Sequence, residues 1–232
     1  MMCALPRHYL TPEEYLVLER QAETKSEYLH GEVFAMAGAS RQHAAITVNL
    51  IVALVARLKG RSCEVYGSDL RVLVPPTGLY TYPDVSVICG KAQFEDRHQD
   101  TLVNPTVIFE ILSRSTEGYD RGEKFENYRT LASLSDYVLV SQHRPLVEHF
   151  ARQPNESWLL KSYGGLEAVL LLPSIGCELS LAEIYDKVEW PEADPRIIGV
   201  RLVRDEPGHY EYEYEFEGGV YADRPDPPGL YR

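Results

Sequence analysis

The clearest periodic pattern in the chain runs from Ser40 to Leu58. Apolar residues recur there about every 3.6 positions, at Ala44, Val48, Ile51, Val52, Val55 and Leu58. This spacing predicts an amphipathic helix that packs through those residues, and Gly60 is placed to end it. A second helix start is predicted at Thr11–Glu14, where a threonine cap, a proline in the first turn and a glutamate form the pattern of a capping box.

Shorter apolar runs predict strands. The segment Lys25–Met36 predicts two strands joined by a tight turn at His30-Gly31, with Glu27, Leu29, Glu32 and Phe34 on one face. Further strands are predicted at Cys63–Tyr66, Leu70–Val74, Asp84–Cys89, Thr106–Leu112, Asp136–Val140, Leu146–Phe150, Trp158–Tyr163 and Ala168–Leu172. Helices are predicted at Tyr119–Leu131 and Leu179–Val188.

This order of elements indicates an α/β domain with a central mixed β-sheet flanked by helices. The composition changes after Trp190, so we predict one domain over residues 1–190 and an acidic C-terminal extension over residues 191–232. Pro191–Pro195 has the composition of a linker, and residues 191–232 contain ten acidic and five basic residues. The strictly alternating Tyr210–Phe216 predicts a strand, so the tail is expected to be β-rich, with an irregular end at Arg224–Gly229.

Two carboxylates interrupt apolar strands. Asp84 opens one predicted strand, and Glu110 stands in the middle of Thr106–Leu112, which is otherwise almost wholly apolar. A carboxylate buried without a partner costs roughly several kcal/mol. The economical interpretation is a Mg²⁺ or Mn²⁺ ion held by Asp84 and Glu110, with the backbone carbonyl of Ile111 as a further ligand. Asp84 taken alone also fits a simple turn residue.

Such a site suits phosphodiester hydrolysis, because a divalent ion polarises the phosphate and lowers the pKa of an attacking water. A nearby lysine can orient that water or stabilise the developing negative charge. Lys124, in the helix that follows, is the candidate, although Glu123-Lys124 also fits a solvated helix face.

Three segments in order resemble the Uma family of bacterial restriction-endonuclease-like proteins, within the PD-(D/E)XK nuclease superfamily: 83–87, 109–116 and 120–128. Segments 27–32 and 68–72 and His43 also match, so the resemblance covers roughly residues 8–190. It implies a restriction endonuclease-like core and a catalytic centre of Asp84, Glu110 and Lys124, with the early glutamate of the family at Glu27. The superfamily lysine usually stands two residues after the glutamate. That position is Leu112 here, which implies a lysine displaced onto the next helix.

The net charge of −12 opposes DNA binding, which depends on neutralising phosphates. The set Asp84, Glu110 and Lys124 makes a metal-dependent DNA endonuclease the first hypothesis. The acidic charge and Leu112 favour the alternative, a catalytically inactive nuclease-fold module that binds nucleic acid or a partner. An interaction protein that dimerises through a sheet edge is the third. Because cutting both strands needs two centres, a homodimer is expected. Arg71 fits either a phosphate contact or a surface salt bridge, and His43 is interpreted as a structural hydrogen-bonding residue.

The cysteines, the apolar stretches and the N-terminus bear on the cellular compartment of the protein. The four cysteines, Cys3, Cys63, Cys89 and Cys177, form no CxxC pair and no zinc spacing, so they are predicted to be buried or idle thiols. No apolar stretch is long enough to span a bilayer, and the N-terminus has no secretion signal. A cytoplasmic protein with no membrane association is expected.

Overall fold

The computed structural model describes residues 9–36, 38–113 and 115–190, and three strands at 197–206, 209–216 and 219–221. The helices are α1 Pro12–Glu19, α2 Arg41–Leu58, α3 Glu117–Arg121, α4 Glu123–Tyr128 and α5 Leu181–Ile184. The strands are β1 Ser26–Leu29, β2 Glu32–Ala35, β3 Cys63–Gly67, β4 Arg71–Val74, β5 Leu79–Thr81, β6 Val85–Cys89, β7 Thr101–Leu102, β8 Val107–Leu112, β9 Asp136–Ser141, β10 Leu146–Arg152, β11 Trp158–Gly164, β12 Val169–Leu172, β13 Cys177–Ser180, β14 Ile197–Glu206, β15 His209–Phe216 and β16 Gly219–Tyr221.

The larger sheet has six strands in the order β11-β10-β9-β8-β6-β3. β8 and β9 are parallel, and the other neighbours are antiparallel, so the sheet is mixed as predicted. A second sheet has five strands in the order β2-β1-β5-β4-β7. β12 and β13 form a separate antiparallel pair. The predicted α/β class with a central mixed sheet and flanking helices is confirmed.

The central strand β8 is buried along its whole length and packs differently on its two faces. Phe109 and its odd-numbered neighbours lie in a core with α2, β13 and α5. Ile108 and Leu112 point to the other face, into a core with Tyr128 of α4 and Tyr137 of β9. Glu110 shares this second face by the alternation of the strand. Its carboxylate is therefore held inside the protein, toward α4 and the second sheet.

The stripe of α2 that was predicted to pack is wrong for Val48, Val52 and Val55 but right for Leu58, and Ile51 is partly buried against the same core. Ile46, Leu50, Ala53, Leu54 and Leu58 are the buried residues, whereas Val48, Val52 and Val55 are 59%, 62% and 50% exposed. The physical reason is that α2 carries apolar side chains around most of its circumference, so more than one stripe fits a 3.6-residue period. The larger leucine and isoleucine side chains face the sheet.

We expect Leu54→Ala to lower the free energy of unfolding by about 2–5 kcal/mol, because it opens a cavity in the core. Val52→Ala removes methyl groups from a mostly exposed side chain of the same helix and should change stability by less than about 1 kcal/mol. Urea unfolding of both variants measures the difference. Equal losses for the two variants would contradict the packing of α2.

Two other predicted helices differ from the structure, because the chain leaves the helical conformation at points that the hydrophobic periodicity does not show. The helix predicted at Tyr119–Leu131 is divided at Gly122 into α3 and α4. Most of the helix predicted at Leu179–Val188 is absent, because Cys177–Ser180 pairs with β12 and only α5 follows. The predicted hairpin at His30-Gly31 is present, and both turn residues have positive φ, as a tight hairpin turn requires.

The prediction of idle thiols is wrong for two cysteines. Cys63 and Cys89 form a disulfide between β3 and β6, at positions that face each other in the register of the sheet. They are 26 residues apart in sequence, so only the strand pairing brings them together. Cys177 is a buried free thiol, and Cys3 lies outside the described residues.

The tail contains the predicted strand. β15 pairs with β14 and with β16 in a three-stranded antiparallel sheet, so the extension is rich in β-structure. The predicted linker at 191–195 and the predicted irregular end at 224–229 lie outside the described residues. The domain boundary at residue 190 stays a prediction.

Candidate active site

Lys124 is the centre of a buried cluster of acidic side chains. It lies on α4 and is only 5% exposed. Its ammonium Nζ is 3.0 Å from Glu110 Oε1, 3.2 Å from Glu27 Oε1 and 3.5 Å from Asp120 Oδ1. The structure therefore brings together three residues that the sequence singled out, Glu27, Glu110 and Lys124. The solvated helix face considered for Lys124 is wrong.

Glu110 is positioned by β8 and by an aromatic hydroxyl. The strand directs its side chain toward α4, where the Tyr128 hydroxyl donates a hydrogen bond to Oε1 at 2.9 Å. Leu112, which stands two residues after Glu110 where the resemblance would place a lysine, is buried in the apolar core beside Tyr128 and Tyr137. The ammonium thus approaches Glu110 from α4 instead of from β8.

Glu27 enters the cluster from the second sheet. It lies on β1 and is only 7% exposed, so its carboxylate faces the interior and not the solvent. The Thr81 hydroxyl donates to Oε1 at 2.5 Å, and the Tyr119 hydroxyl donates to Oε2 at 3.1 Å. These two hydrogen bonds and the ion pair with Lys124 orient the carboxylate. β1, β5, β8, α3 and α4 all contribute residues to one cluster.

Asp120 is a member of the cluster that the sequence analysis did not select. It is 3% exposed and lies four residues before Lys124. That spacing places two side chains on the same side of a helix and was a signal available in the sequence. It was not decisive, because i,i+4 pairs of this kind are common on exposed helix surfaces.

Asp84 lies at the edge of the same region. It directly precedes β6, whose first residue pairs with Phe109, so it stands next to Glu110 and Ile111 of β8. The Ile111 backbone N–H donates to Asp84 Oδ2 at 2.7 Å, and His43 Nε2 lies 3.1 Å from the same oxygen. Asp84 is thus part of a tertiary contact and not only a turn residue.

Arg71 does not lie in this cluster. It is buried and contacts Tyr82, Thr101 and Asp100, so neither of its two predicted roles, a phosphate contact or a surface salt bridge, describes its position.

Acidic groups outnumber basic groups in this cluster, with three carboxyl groups around one ammonium. Burial raises the pKa of Glu110 to about 8; Lys124 opposes the shift, and Asp120 and Asp84 add to it. Burial also raises the pKa of Asp120. Burial alone would lower the pKa of Lys124, but the surrounding carboxylates, Glu110 above all, raise it well above its ordinary value. The lysine is therefore charged at neutral pH, while the carboxylates around it compete for too little positive charge.

We expect the metal-free protein to lose stability as the pH rises from about 4.5 to about 8. In that range folded Glu110 keeps its proton and unfolded Glu110 releases it. The folded state then binds more protons, so a rising pH favours unfolding, by a few kcal/mol at most, roughly. Asp120 acts in the same direction. Thermal melts in chelator across this range measure the slope, which Glu110→Gln should reduce. An unchanged slope in that variant would contradict the assigned cause.

The oxygen atoms that the side chains and the backbone offer here decide whether the site suits a metal ion. Within the described part of the chain, no three His, Cys, Asp or Glu side chains are arranged to hold an ion together. Mg²⁺ commonly uses one or two carboxylates and completes its shell with water and substrate oxygens. Asp84 and Glu110 stand opposite each other on paired segments and offer carboxylate oxygens of this kind, and the excess of buried carboxylates favours a cation. The residues therefore fit a divalent ion of this kind.

The fold and the buried acid–lysine cluster define the class: a mixed-sheet α/β protein with a nuclease-like fold. A crystal structure from Anabaena variabilis, described as a putative nuclease belonging to DUF820, matches with a TM-score of 0.63. The match covers 76% of this chain and 97% of that chain, and at 19% identity it shows the fold.

The chain belongs to the Uma2 family, described as "Putative restriction endonuclease", whose family model matches residues 12–182. The resemblance seen in the sequence is therefore confirmed. Two uncharacterized proteins of Synechocystis, sll1609 and slr1290, are 39% and 38% identical over 168 and 177 residues. These matches cover 72% and 76% of this chain, and 95% and 91% of the relatives. None of the helices in the described residues is long and apolar enough to cross a membrane.

Proposed function

We propose that this protein is a Mg²⁺- or Mn²⁺-dependent endonuclease that hydrolyses phosphodiester bonds in DNA. The observation that carries the proposal is the buried Lys124 ammonium, which contacts Glu110 and Glu27 next to the strand end where Asp84 is anchored. Membership of a family described as a restriction endonuclease supports the same reaction. Carboxylates that can hold a divalent ion and a lysine that can stabilise developing negative charge are suited to metal-assisted hydrolysis of a phosphodiester.

Asp84 and Glu110 are the proposed side-chain ligands, with the carbonyl of Ile111. In an extended strand the N–H and C=O of one residue point toward the same neighbouring strand. Because the Ile111 N–H donates to Asp84, its carbonyl faces the same side. A bound divalent ion would polarise the scissile phosphate and lower the pKa of a water molecule.

The other residues act on charge and orientation. Lys124 stays protonated, so its ammonium can stabilise the negative charge that develops on the phosphate oxygens. Glu27 holds that ammonium in place, and Tyr128 orients Glu110. Burial of the cluster strengthens each of these interactions, because the local dielectric is lower than in water.

A second candidate is a nuclease-fold module that binds nucleic acid or a partner without cutting. The net charge of −12 and the engagement of Lys124 by three carboxylates favour it. An acidic protein binds the DNA backbone weakly unless bound cations or a local basic patch neutralise the charge of the phosphates. A homodimer and a cytoplasmic location stay predictions, and light scattering of the purified protein tests the first.

Supercoiled plasmid DNA tests the proposal most directly. Purified protein should nick or linearise the plasmid with Mg²⁺ or Mn²⁺ and should be inactive in chelator. Glu110→Gln, which keeps the shape of the side chain, should cut at least about 100-fold more slowly. No cleavage of duplex, single-stranded or branched DNA with either ion, together with retained DNA binding, would reject the endonuclease and support the binding module.

A further inference from the structure

His43 contacts the proposed metal ligand Asp84. Its Nε2 is 3.1 Å from Asp84 Oδ2, and the two side chains are 17% and 16% exposed. This is the distance at which a ring N–H donates to a carboxylate. The Ile111 N–H donates to the same oxygen. Asp84 is therefore held by α2 and by β8 together, which limits how its carboxylate can turn.

Hydrogen bonds at the N-terminus of α2 fix the position of His43. The Ser40 side chain accepts the backbone N–H of His43 at 3.1 Å, and its hydroxyl donates to Gln142 Oε1 at 2.5 Å. Gln142 directly follows β9, which runs parallel to β8. The carboxyl ends of these two strands lie at the same end of the sheet, and Asp84 lies at that end too. The backbone that presents the imidazole is thus tied to the sheet.

We infer that His43 is a positioning residue, which holds Oδ2 of Asp84 so that this carboxylate is oriented for a divalent ion. The inference rests on the proposed function, because Asp84 is assigned as a ligand only there. Partners that orient a metal-binding side chain typically contribute a factor of about 10–100 in metal affinity. His43 thereby acts through Asp84, and the effect of its loss should appear in metal binding before any cleavage is measured.

Calorimetric titration of the full chain with Mn²⁺ tests this role. His43→Ala should bind Mn²⁺ about 10–100-fold more weakly than the natural protein. His43→Gln should stay within about threefold, because its amide N–H can reach the same oxygen, and His43→Asn, with a shorter amide, should resemble His43→Ala. If His43→Ala does not fold, the comparison of His43→Gln with His43→Asn decides. Arg41→Ala, an exposed neighbour on α2, is the matched control.

The outcomes separate this inference from the proposed function. Natural affinity in His43→Ala, or equal weakening in His43→Gln and His43→Asn, would overturn the positioning role, provided that Asp84→Asn still loses Mn²⁺. Equal affinity of Asp84→Asn and the natural protein, or no Mn²⁺ binding by either, would overturn the metal site itself and the positioning role with it.

Discussion

Lys124→Met should lower the free energy of unfolding by about 3–5 kcal/mol at pH 8 and abolish cleavage. The variant keeps a long side chain in the buried position but removes the ammonium that contacts Glu27, Glu110 and Asp120. Those carboxyl groups must then stay ionised without a counter-ion or hold a proton at a pH where they release it in the unfolded chain, and either costs more than the loss of a surface pair. For a protein of this size the melting temperature should fall by roughly 10 °C.

Chemical unfolding at pH 5 and pH 8 measures the effect and its cause. The loss should be smaller at pH 5, because protonation of Glu110 and Asp120, whose pKa values are raised, removes the uncompensated charge. Lys161→Met, on the exposed strand β11, is the control and should change stability by less than about 0.5 kcal/mol. A Lys124→Met protein as stable as the control at pH 8 would show that the cluster is not a charge-balanced unit.

Asp84→Asn should reduce the rate of metal-dependent cleavage by a factor on the order of 10³ while the fold is retained. The amide oxygen of asparagine can still accept the Ile111 N–H, so the contact between β8 and the start of β6 is preserved. What the substitution removes is the negative charge of a proposed ligand. The expected loss of stability is within about 1 kcal/mol.

The rate of plasmid nicking and the melting temperature, measured on the same protein, test whether cleavage is lost while the fold is retained. Asp69→Asn is the matched control, because the Asp69 side chain is fully exposed and pairs only with Lys25 in the described structure. It should cut at the natural rate. Cleavage by Asp84→Asn at the rate of the control would remove Asp84 from the catalytic centre, whereas an unfolded Asp84→Asn protein would assign it a structural role.

Several features could be predicted because their causes are local. The capping box at Thr11 and Glu14 and the tight turn at His30-Gly31 depend on residues within a few positions of each other. Glu110 could be selected because a single charge in an apolar strand needs a partner wherever that strand lies. The order of the segments around Asp84, Glu110 and Lys124 was enough to indicate the family.

Residue types and their order along the chain thus determined the class of fold, the family and the acidic and basic groups available for chemistry. The tertiary structure decided which groups meet: Asp120 joins Lys124 inside the protein, and His43 reaches Asp84 from α2. It also decided which stripe of α2 is buried and which cysteines pair. The physical reason is that burial and long-range contacts depend on how sheets and helices pack against each other. A local sequence pattern contains no information about which residues it will pack against.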